Sequence, residues 1–238
     1  MKIIKVADPK EGITVCKKLL YEIISKNTIL FLSGGKTPKA LYETLAKEKK
    51  LNVGAVAMVD ERYAPSSQFK VPSSKLGTNE FMIKNTRLLS YLQKLNIKFY
   101  PILENKDIGQ TTKDYDETVR FLFNYFGKSV GILGVGMDGH TAGLPAGVQS
   151  SEFGVQSETN LVTSFTDFPG EYKERISLTF LGLSKLDQII VLVFGEDKKK
   201  ALKLMFKPGS IAEIPARFLT QKEITEKVIL ITDQKLPV

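Results

Sequence analysis

Along almost the whole chain, segments whose hydrophobic residues recur at helical spacing alternate with short apolar segments typical of strands. Asp8 and Pro9 are typical of a helix start, and apolar residues then recur at helical spacing as far as Ile24. Thr37 and Pro38 indicate the start of a second helix, and an amphipathic pattern predicts a third. Short apolar runs between these segments predict buried strands. The third helix spans 112–126, and the strands span 28–32, 53–59, 130–133, 161–165, 176–180, 188–194 and 228–231.

This order of elements predicts the fold class. Strands that alternate with helices are typical of helices packed over a mainly parallel sheet. We therefore predict an α/β fold with one domain over residues 1–238, a three-layer, Rossmann-like arrangement in which helices flank a mostly parallel, mixed sheet. The polar stretch 64–79 contains two prolines and is predicted to be a long loop beside a site.

Composition narrows the class of protein. The chain has 238 residues, of which 42% are hydrophobic and 25% are charged, as in ordinary globular proteins. Its single cysteine, Cys16, excludes an intramolecular disulfide, which favours a cytoplasmic location. Its single histidine argues against a clustered metal site, so we expect no metal. Apolar stretches such as 189–194 are much shorter than the ~20 residues that span a bilayer, and no signal-like segment is present, so we expect no membrane association.

The net charge of +8 limits the kinds of partner. Five of the 34 basic residues are arginines, which leaves 29 lysines, and these are spread along the whole chain. Proteins that bind nucleic acid usually concentrate basic residues on one face, with aromatic residues between them. A dispersed lysine excess is more typical of a solvated surface, and it can attract small anionic substrates. We therefore expect no nucleic-acid partner.

Three polar loops each follow a predicted strand. They span 33–38, 60–62 and 134–140, and Lys198 comes just after a fourth strand. In open α/β sheets, ligands bind beyond the carboxyl ends of the strands. If these strands are parallel, the loops meet at one edge of the sheet, where we expect a single polar site.

The first loop places Gly34 and Gly35 directly before the helix start at Thr37. Glycines let a ligand approach the backbone, and free N–H groups at a helix start attract an anion such as phosphate. A tight strand-to-helix turn explains the same residues equally well. The spacing does not match the Walker phosphate-binding loop.

The second loop contains three charged residues, Asp60, Glu61 and Arg62, directly after an apolar strand. Such a triplet is often a solvated loop. At the end of a strand, a carboxylate beside a guanidinium could also orient a polar substrate and stabilise developing negative charge.

The third loop contains a Gly-x-Gly-x-x-Gly pattern at Gly134, Gly136 and Gly139, which is the dinucleotide-binding fingerprint. That fingerprint needs an acidic residue at the end of the next strand, but Glu158 precedes its predicted strand. The pattern also lies in the middle of the chain. A dehydrogenase is therefore the less favoured interpretation.

The same loop ends on the only histidine of the chain. His140 lies two residues after Asp138, among the other candidate site residues. Histidine is the side chain whose ordinary pKa lies near neutrality, so it suits proton transfer. A structural role is the alternative, and catalysis is favoured.

Taken together, these loops resemble the 6-phosphogluconolactonases, within the superfamily that also holds the glucosamine-6-phosphate deaminases. The resemblance covers nearly the whole chain in the family's order. Its motifs are Ser33-Gly34-Gly35, Thr37-Pro38, Asp60-Glu61-Arg62, Gly-x-Gly-x-Asp-Gly-His-Thr-Ala at 134–142, Arg-Ile-Ser-Leu-Thr-Phe-Leu-Gly-Leu at 175–183, Gly-Glu-Asp-Lys at 195–198 and Ile-Pro-Ala at 214–216. The chain departs from the family at Lys36, where a small residue is common, and in a shortened segment at 143–147.

The resemblance implies the deaminase fold and the hydrolysis of a sugar phosphate lactone in the oxidative pentose phosphate pathway. In this interpretation His140 is the general base and Asp138 positions it. Arg62 stabilises developing charge, while Asp60 and Glu61 shape the pocket. No cofactor is required.

The phosphate of the substrate would bind at the first loop, with basic residues closing over it. Arg175 opens its predicted strand, whereas the other site residues follow theirs. Its strand should therefore run antiparallel to its neighbours. The predicted phosphate-binding residues are Ser33, Gly34, Gly35, Thr37, Arg175 and Lys198.

Two other functions stay open on the sequence. One is an amino-sugar phosphate deaminase or isomerase, but the deaminases carry Asn-Glu-Pro after the histidine, and here no acidic residue occurs between His140 and Glu152. The other is a sugar-phosphate sensor without catalysis, which a complete set of candidate catalytic side chains argues against. The expected partner is a small sugar phosphate lactone, bound by a monomer or a weak homo-oligomer.

Overall fold

A computed structural model describes residues 1–63, 77–103, 107–147, 159–169 and 172–236. Most of the loop predicted at 64–79 lies outside these ranges, as do Glu152 and Glu158. The strands are β1 (Lys2–Lys5), β2 (Thr28–Leu32), β3 (Ala55–Met58), β4 (Asp60–Arg62), β5 (Lys98–Tyr100), β6 (Lys128–Gly134), β7 (Val162–Phe165), β8 (Arg175–Leu178), β9 (Gln188–Val193) and β10 (Val228–Thr232). The α-helices are α1 (Pro9–Ile23), α2 (Lys36–Glu48), α3 (Asn79–Asn85), α4 (Leu88–Lys94), α5 (Ile108–Tyr125), α6 (Phe180–Ser184), α7 (Lys199–Phe206) and α8 (Lys222–Thr225). Two 3₁₀ helices span Glu196–Lys198 and Pro215–Thr220.

The main sheet has the order β1-β10-β9-β6-β2-β3-β5, and all its strand pairs are parallel. Its central strands are buried on both faces, as all five residues of β2 show. The predicted α/β fold with a mostly parallel sheet is therefore confirmed. Strand β2 has the bounds that were predicted for it, 28–32.

A second sheet of three antiparallel strands, in the order β4-β8-β7, accompanies the first. The strand that begins at Arg175 runs antiparallel to its neighbours, as expected. It belongs to this separate sheet, however, and not to the main one. The prediction that it extends to Phe180 is wrong, because Thr179 ends it and caps α6 by accepting a hydrogen bond from the backbone N–H of Gly182 at 3.0 Å.

The charged triplet at 60–62, predicted to be a loop, is strand β4. The chain leaves the main sheet after Met58 and pairs at once with β8, which places Arg62 directly opposite Arg175. Asp60 and Glu61 are buried there. The pairing explains how the first residue of β8 reaches the same edge as residues that follow their strands.

Helix α1 begins where the sequence predicts it, whereas helix α5 begins earlier. Asp8 accepts a hydrogen bond from the backbone N–H of Glu11 at 2.8 Å, as Pro9 at the first helical position suggested. Helix α5 begins at Ile108, four residues before the predicted start at 112, because Asp107 is its cap. No helix within the described ranges is both long enough and apolar enough to cross a membrane.

Candidate active site

A cavity of about 650 Å³ opens where the carboxyl ends of the parallel strands meet the second sheet. The loops after β2, β6 and β9 all contribute to its lining, as expected for an open α/β sheet. Every residue predicted for the site lines this cavity except Asp138 and Glu61. The predicted residues in the lining are Ser33, Gly34, Gly35, Thr37, Asp60, Arg62, His140, Arg175 and Lys198.

His140 and Asp138 form a hydrogen-bonded pair at the cavity. The Nδ1 atom of His140 lies 2.6 Å from Oδ1 of Asp138, and the same oxygen accepts the backbone N–H of His140 at 3.1 Å. Partial burial raises the pKa of Asp138, but the hydrogen bonds and charge of His140 outweigh this and lower it to about 2. An ionised Asp138 holds the proton of a neutral imidazole on Nδ1, which leaves Nε2 as the acceptor.

The glycines of the third loop make room for this pair. A Cβ on Gly136 would lie 2.1 Å from Cε1 and Nδ1 of His140, so no side chain fits there. Gly139 has a φ of 91°, which favours glycine, and the backbone N–H of Gly136 donates to the carbonyl of His140 at 2.8 Å. The Gly-x-Gly-x-x-Gly pattern is thus explained by the turn that seats His140, without a dinucleotide.

The first loop forms the start of a 13-residue helix. Gly35, with a φ of 107°, occupies the N-cap position of α2, so Thr37 lies inside the first turn and is not the cap. No acidic side chain lies in that turn, and the Oγ of Ser33 is buried without a hydrogen-bond partner among the described residues. Unpaired donors at a helix start suit an anionic group.

Asn79 is a cavity residue that the sequence did not single out. Its Nδ2 donates to the backbone oxygen and to Oδ2 of Asp60, both at 3.0 Å. A Cβ on Gly34 would lie 1.9 Å from Oδ1 of Asn79, which explains the glycine in the facing loop. Burial raises the pKa of Asp60, and the charge of Arg175 opposes this shift.

Glu61 points away from the cavity, contrary to its expected place in the site. Its carboxylate is fully buried and accepts the backbone N–H groups of Arg62 and Asn79 at 2.6 Å and of Glu80 at 2.8 Å. Burial raises its pKa to about 8, against the effect of these donors. Glu61 therefore connects β4 to the start of α3 by hydrogen bonds, and it stabilises the position of these two elements without lining the cavity.

Two arginines face each other across the strand pair β4–β8. The Nε atoms of Arg62 and Arg175 are both buried and have no hydrogen-bond partner within the described ranges. Burial lowers the pKa of Arg175, the charge of Asp60 opposes this, and the charge of Arg62 lowers it further. Like charges placed directly opposite are unfavourable, so this arrangement suits an anionic ligand between or above them.

Lys198 reaches the cavity from the 3₁₀ helix that follows β9. Gly195 permits the turn with a φ of 97°, and its N–H donates to Oδ1 of Asp233 at 3.0 Å. Lys36 and Asp197 line the cavity as well. Four basic side chains thus share the lining with two carboxylates, those of Asp60 and Asp197.

A sequence model described as glucosamine-6-phosphate isomerases/6-phosphogluconolactonase matches residues 14–230. The chain belongs to this family. A 6-phosphogluconolactonase from Thermotoga maritima is 29% identical over 214 residues, which cover 89% of this chain and 87% of that protein. A glucosamine-6-phosphate deaminase from Clostridium beijerinckii is 27% identical over 241 residues, which cover 94% of this chain and 95% of that protein. The structure of 6-phosphogluconolactonase from Plasmodium vivax has a TM-score of 0.75 at 18% identity, covers 99% of this chain and 91% of that chain, and supports the fold.

The glucosamine-6-phosphate isomerase/6-phosphogluconolactonase family includes enzymes of two activities, and the residues after His140 help to distinguish them. The segment directly after His140 runs from Thr141 to Gly147 and contains no carboxylate. It folds back on β6, with Oγ1 of Thr141 donating to the carbonyl of Gly134 at 2.9 Å. Within the part of the chain that the structure describes, no group of three or more His, Cys, Asp or Glu side chains is placed to hold a metal ion.

Proposed function

We propose that this chain hydrolyses 6-phospho-D-glucono-1,5-lactone to 6-phosphogluconate. The observation that carries the proposal is the pair of His140 and Asp138, held at 2.6 Å in a cavity that also contains two arginines with unpaired Nε donors. A base and anion-binding groups in one cavity are what hydrolysis of an anionic ester requires. The curated relatives named 6-phosphogluconolactonase support the same substrate.

In this mechanism His140 is the general base. Its Nε2 accepts a proton from a water molecule as the water oxygen forms a bond to the lactone carbonyl carbon. The carbonyl oxygen becomes an oxyanion, which the charge of Arg62 stabilises. The bond from that carbon to the ring oxygen then breaks, and the imidazolium returns its proton to the leaving oxygen, giving the open-chain acid.

The phosphate of the substrate binds at the loop that starts helix α2, with Arg175 beside it. The backbone N–H groups at the start of α2, which include those at Gly34, Gly35 and Thr37, supply unpaired donors. Ser33 adds a hydroxyl, Arg175 a planar pair of donors and Lys198 a point charge. Asp60 also lines the cavity, and its carboxylate is an acceptor for the hydroxyl groups of the sugar.

The biological setting follows from this substrate. We place the enzyme in the cytoplasm, in the oxidative pentose phosphate pathway, as one domain over residues 1–238 that acts as a monomer or weak homo-oligomer. The scheme uses only side chains, backbone N–H groups and water, and it assigns no cofactor, nucleic acid or membrane a role.

Deamination of glucosamine 6-phosphate is the second candidate, because relatives named for that activity cover almost the whole chain. The absence of a carboxylate between Thr141 and Gly147 counts against it, since the deaminases carry an acidic residue directly after the histidine.

The two candidates are separated by measuring both reactions on one preparation. Purified protein should accelerate the loss of freshly made 6-phosphogluconolactone above its spontaneous hydrolysis, and should release no ammonia from glucosamine 6-phosphate. His140→Ala serves as the matched control for a contaminating lactonase. Ammonia release without lactone hydrolysis would replace the proposal by the deaminase.

A further inference from the structure

Two aromatic side chains contact the arginines and the histidine of the site. The ring of Phe168 lies edge-to-face with that of His140, with centroids 5.8 Å apart and planes at 83°. The guanidinium carbon of Arg175 lies 4.5 Å from the centroid of the same ring. Phe168 is only 4% exposed and lines the cavity. One ring thus touches both the proposed base and the proposed phosphate-binding arginine.

Tyr172 contacts both arginines. The guanidinium carbon of Arg62 lies 4.5 Å from its ring centroid, and that of Arg175 lies 5.9 Å away. A Cβ on Gly77 would lie 2.2 Å from the hydroxyl oxygen of Tyr172, so the ring packs closely against this glycine. The carbonyl of Gly77 in turn accepts a hydrogen bond from Arg62.

Apart from the hydrogen bond from Arg62 to the carbonyl of Gly77, no hydrogen bond to a described residue fixes these two guanidinium groups. The Nε atoms of Arg62 and Arg175 are buried without partners among the described residues. A buried unpaired donor is costly, and an arginine side chain has many rotamers. Contact with an aromatic face restricts the guanidinium plane without using any of its hydrogen-bond donors.

The backbone holds both rings on the connection between β7 and β8. The N–H of Phe168 donates to the carbonyl of Lys173 at 2.8 Å, which fixes the entry and exit of this connection. Lys173 lies between Tyr172 and Arg175 in the chain, so this hydrogen bond keeps both residues close to Phe168. The family resemblance of the sequence includes Arg175 but neither aromatic residue.

We propose that Phe168 and Tyr172 are positioning residues, which hold the two arginine planes and set the distance between the phosphate site and the imidazole of His140. The proposal deepens the function given above and rests on it for the identity of the substrate. The two rings have different contacts, so their losses should differ. Phe168 touches His140 and Arg175, and its loss should lower kcat and raise KM. Among the described contacts Tyr172 touches the two arginines and not His140, and its closer contact is with Arg62, so its loss should mainly lower kcat, with a smaller rise in KM.

The first test compares variants that keep or remove the aromatic face. Phe168→Leu keeps an apolar side chain of similar volume, and we expect kcat to fall and KM to rise by about three- to tenfold each. Tyr172→Phe keeps the ring and should retain most of the kcat that Tyr172→Leu loses. Phe123→Leu is the matched control, because Phe123 packs against Phe31 with centroids 5.4 Å apart and does not line the cavity. Thermal unfolding of each variant identifies any loss of fold.

The second test is a double-mutant cycle on ligand binding, which needs no turnover. Calorimetry measures the affinity for 6-phosphogluconate in the wild type, Phe168→Leu, Arg175→Ala and the double variant. If Phe168 acts through Arg175, its replacement should weaken binding about three- to tenfold in the wild type and hardly at all once Arg175 is absent. Equal losses in both backgrounds would overturn the proposal.

The outcomes also separate this inference from the proposed function. A wild-type protein that hydrolyses no lactone but shows the coupling between Phe168 and Arg175 would remove the proposed function and keep the positioning role. A protein that hydrolyses the lactone with independent effects of the two residues would do the reverse.

Discussion

Replacing Gly136 by alanine should displace the proposed base without removing any polar side chain. The added Cβ would lie 2.1 Å from two ring atoms of His140 and 2.6 Å from Oδ1 of Asp138. Ordinary contact begins at 3.4 Å, so the ring must move by about 1.3 Å, the difference between 3.4 and 2.1 Å. A displacement of about 1 Å at a catalytic group costs on the order of 10²-fold in rate. We therefore expect kcat to fall about 10²-fold, with a much smaller change in KM.

Steady-state hydrolysis of freshly made 6-phosphogluconolactone measures this effect. Gly134→Ala is the matched control in the same loop, since its Cβ would meet only the carbonyl oxygen of Leu192, at 3.8 Å. Gly134 also lines the cavity, so any effect of its methyl group should fall on KM and leave kcat within a few fold. A Gly136→Ala enzyme that folds normally and keeps the kcat of the wild type would refute the role of His140.

Three further predictions concern the site residues directly. His140→Ala should lower kcat by on the order of 10²–10⁴-fold with little change in KM in steady-state kinetics, and a normal kcat would return His140 to a structural role. Arg175→Ala should lower kcat/KM for the phosphorylated lactone, by a loss of transition-state stabilisation of about 2–4 kcal/mol. An equal loss on unphosphorylated gluconolactone would contradict a phosphate contact. The pKa of Asp138 is lowered from 3.8 to about 2 in the folded protein, so its carboxylate stabilises the fold above about pH 4 and loses this effect as the pH falls through 2. Denaturant unfolding should show a smaller acid loss in Asp138→Asn than in the wild type, and identical acid losses would contradict the pair.

The parts of the fold that the sequence predicted well are those set by local patterns. Strand β2 is a continuous apolar run with both faces buried, so its bounds follow from the pattern alone. Helix α1 has an aspartate cap and a proline at its first position. The edge strands β1 and β5 went unpredicted, because each is short and begins with a lysine.

Strand β4 shows why other parts could not be predicted. Three consecutive charged residues are typical of a solvated loop, yet Asp60 and Glu61 are buried. Their burial depends on donors that lie 18 or 19 positions later in the chain, at Asn79 and Glu80. A local pattern cannot show such partners.

The candidate site also has one part that the sequence pattern predicts and another part that depends on long-range contacts. The loops after the strands and the turn at His140 were predictable, because the carboxyl edge of a parallel sheet brings them together. Phe168 and Tyr172 have no periodic pattern around them, and their contacts with the arginines arise only when β8 pairs with β4. Asn79 gave one weak signal, its place one residue after the N-cap of α3.

A crystal structure with 6-phosphogluconate bound tests the central claim most directly, because it locates both ends of the product at once. The account predicts the C1 carboxylate within hydrogen-bond distance of Nε2 of His140, and the phosphate on the loop at Ser33–Thr37 in contact with Arg175. A phosphate beside His140, or a product bound outside the cavity, would contradict it.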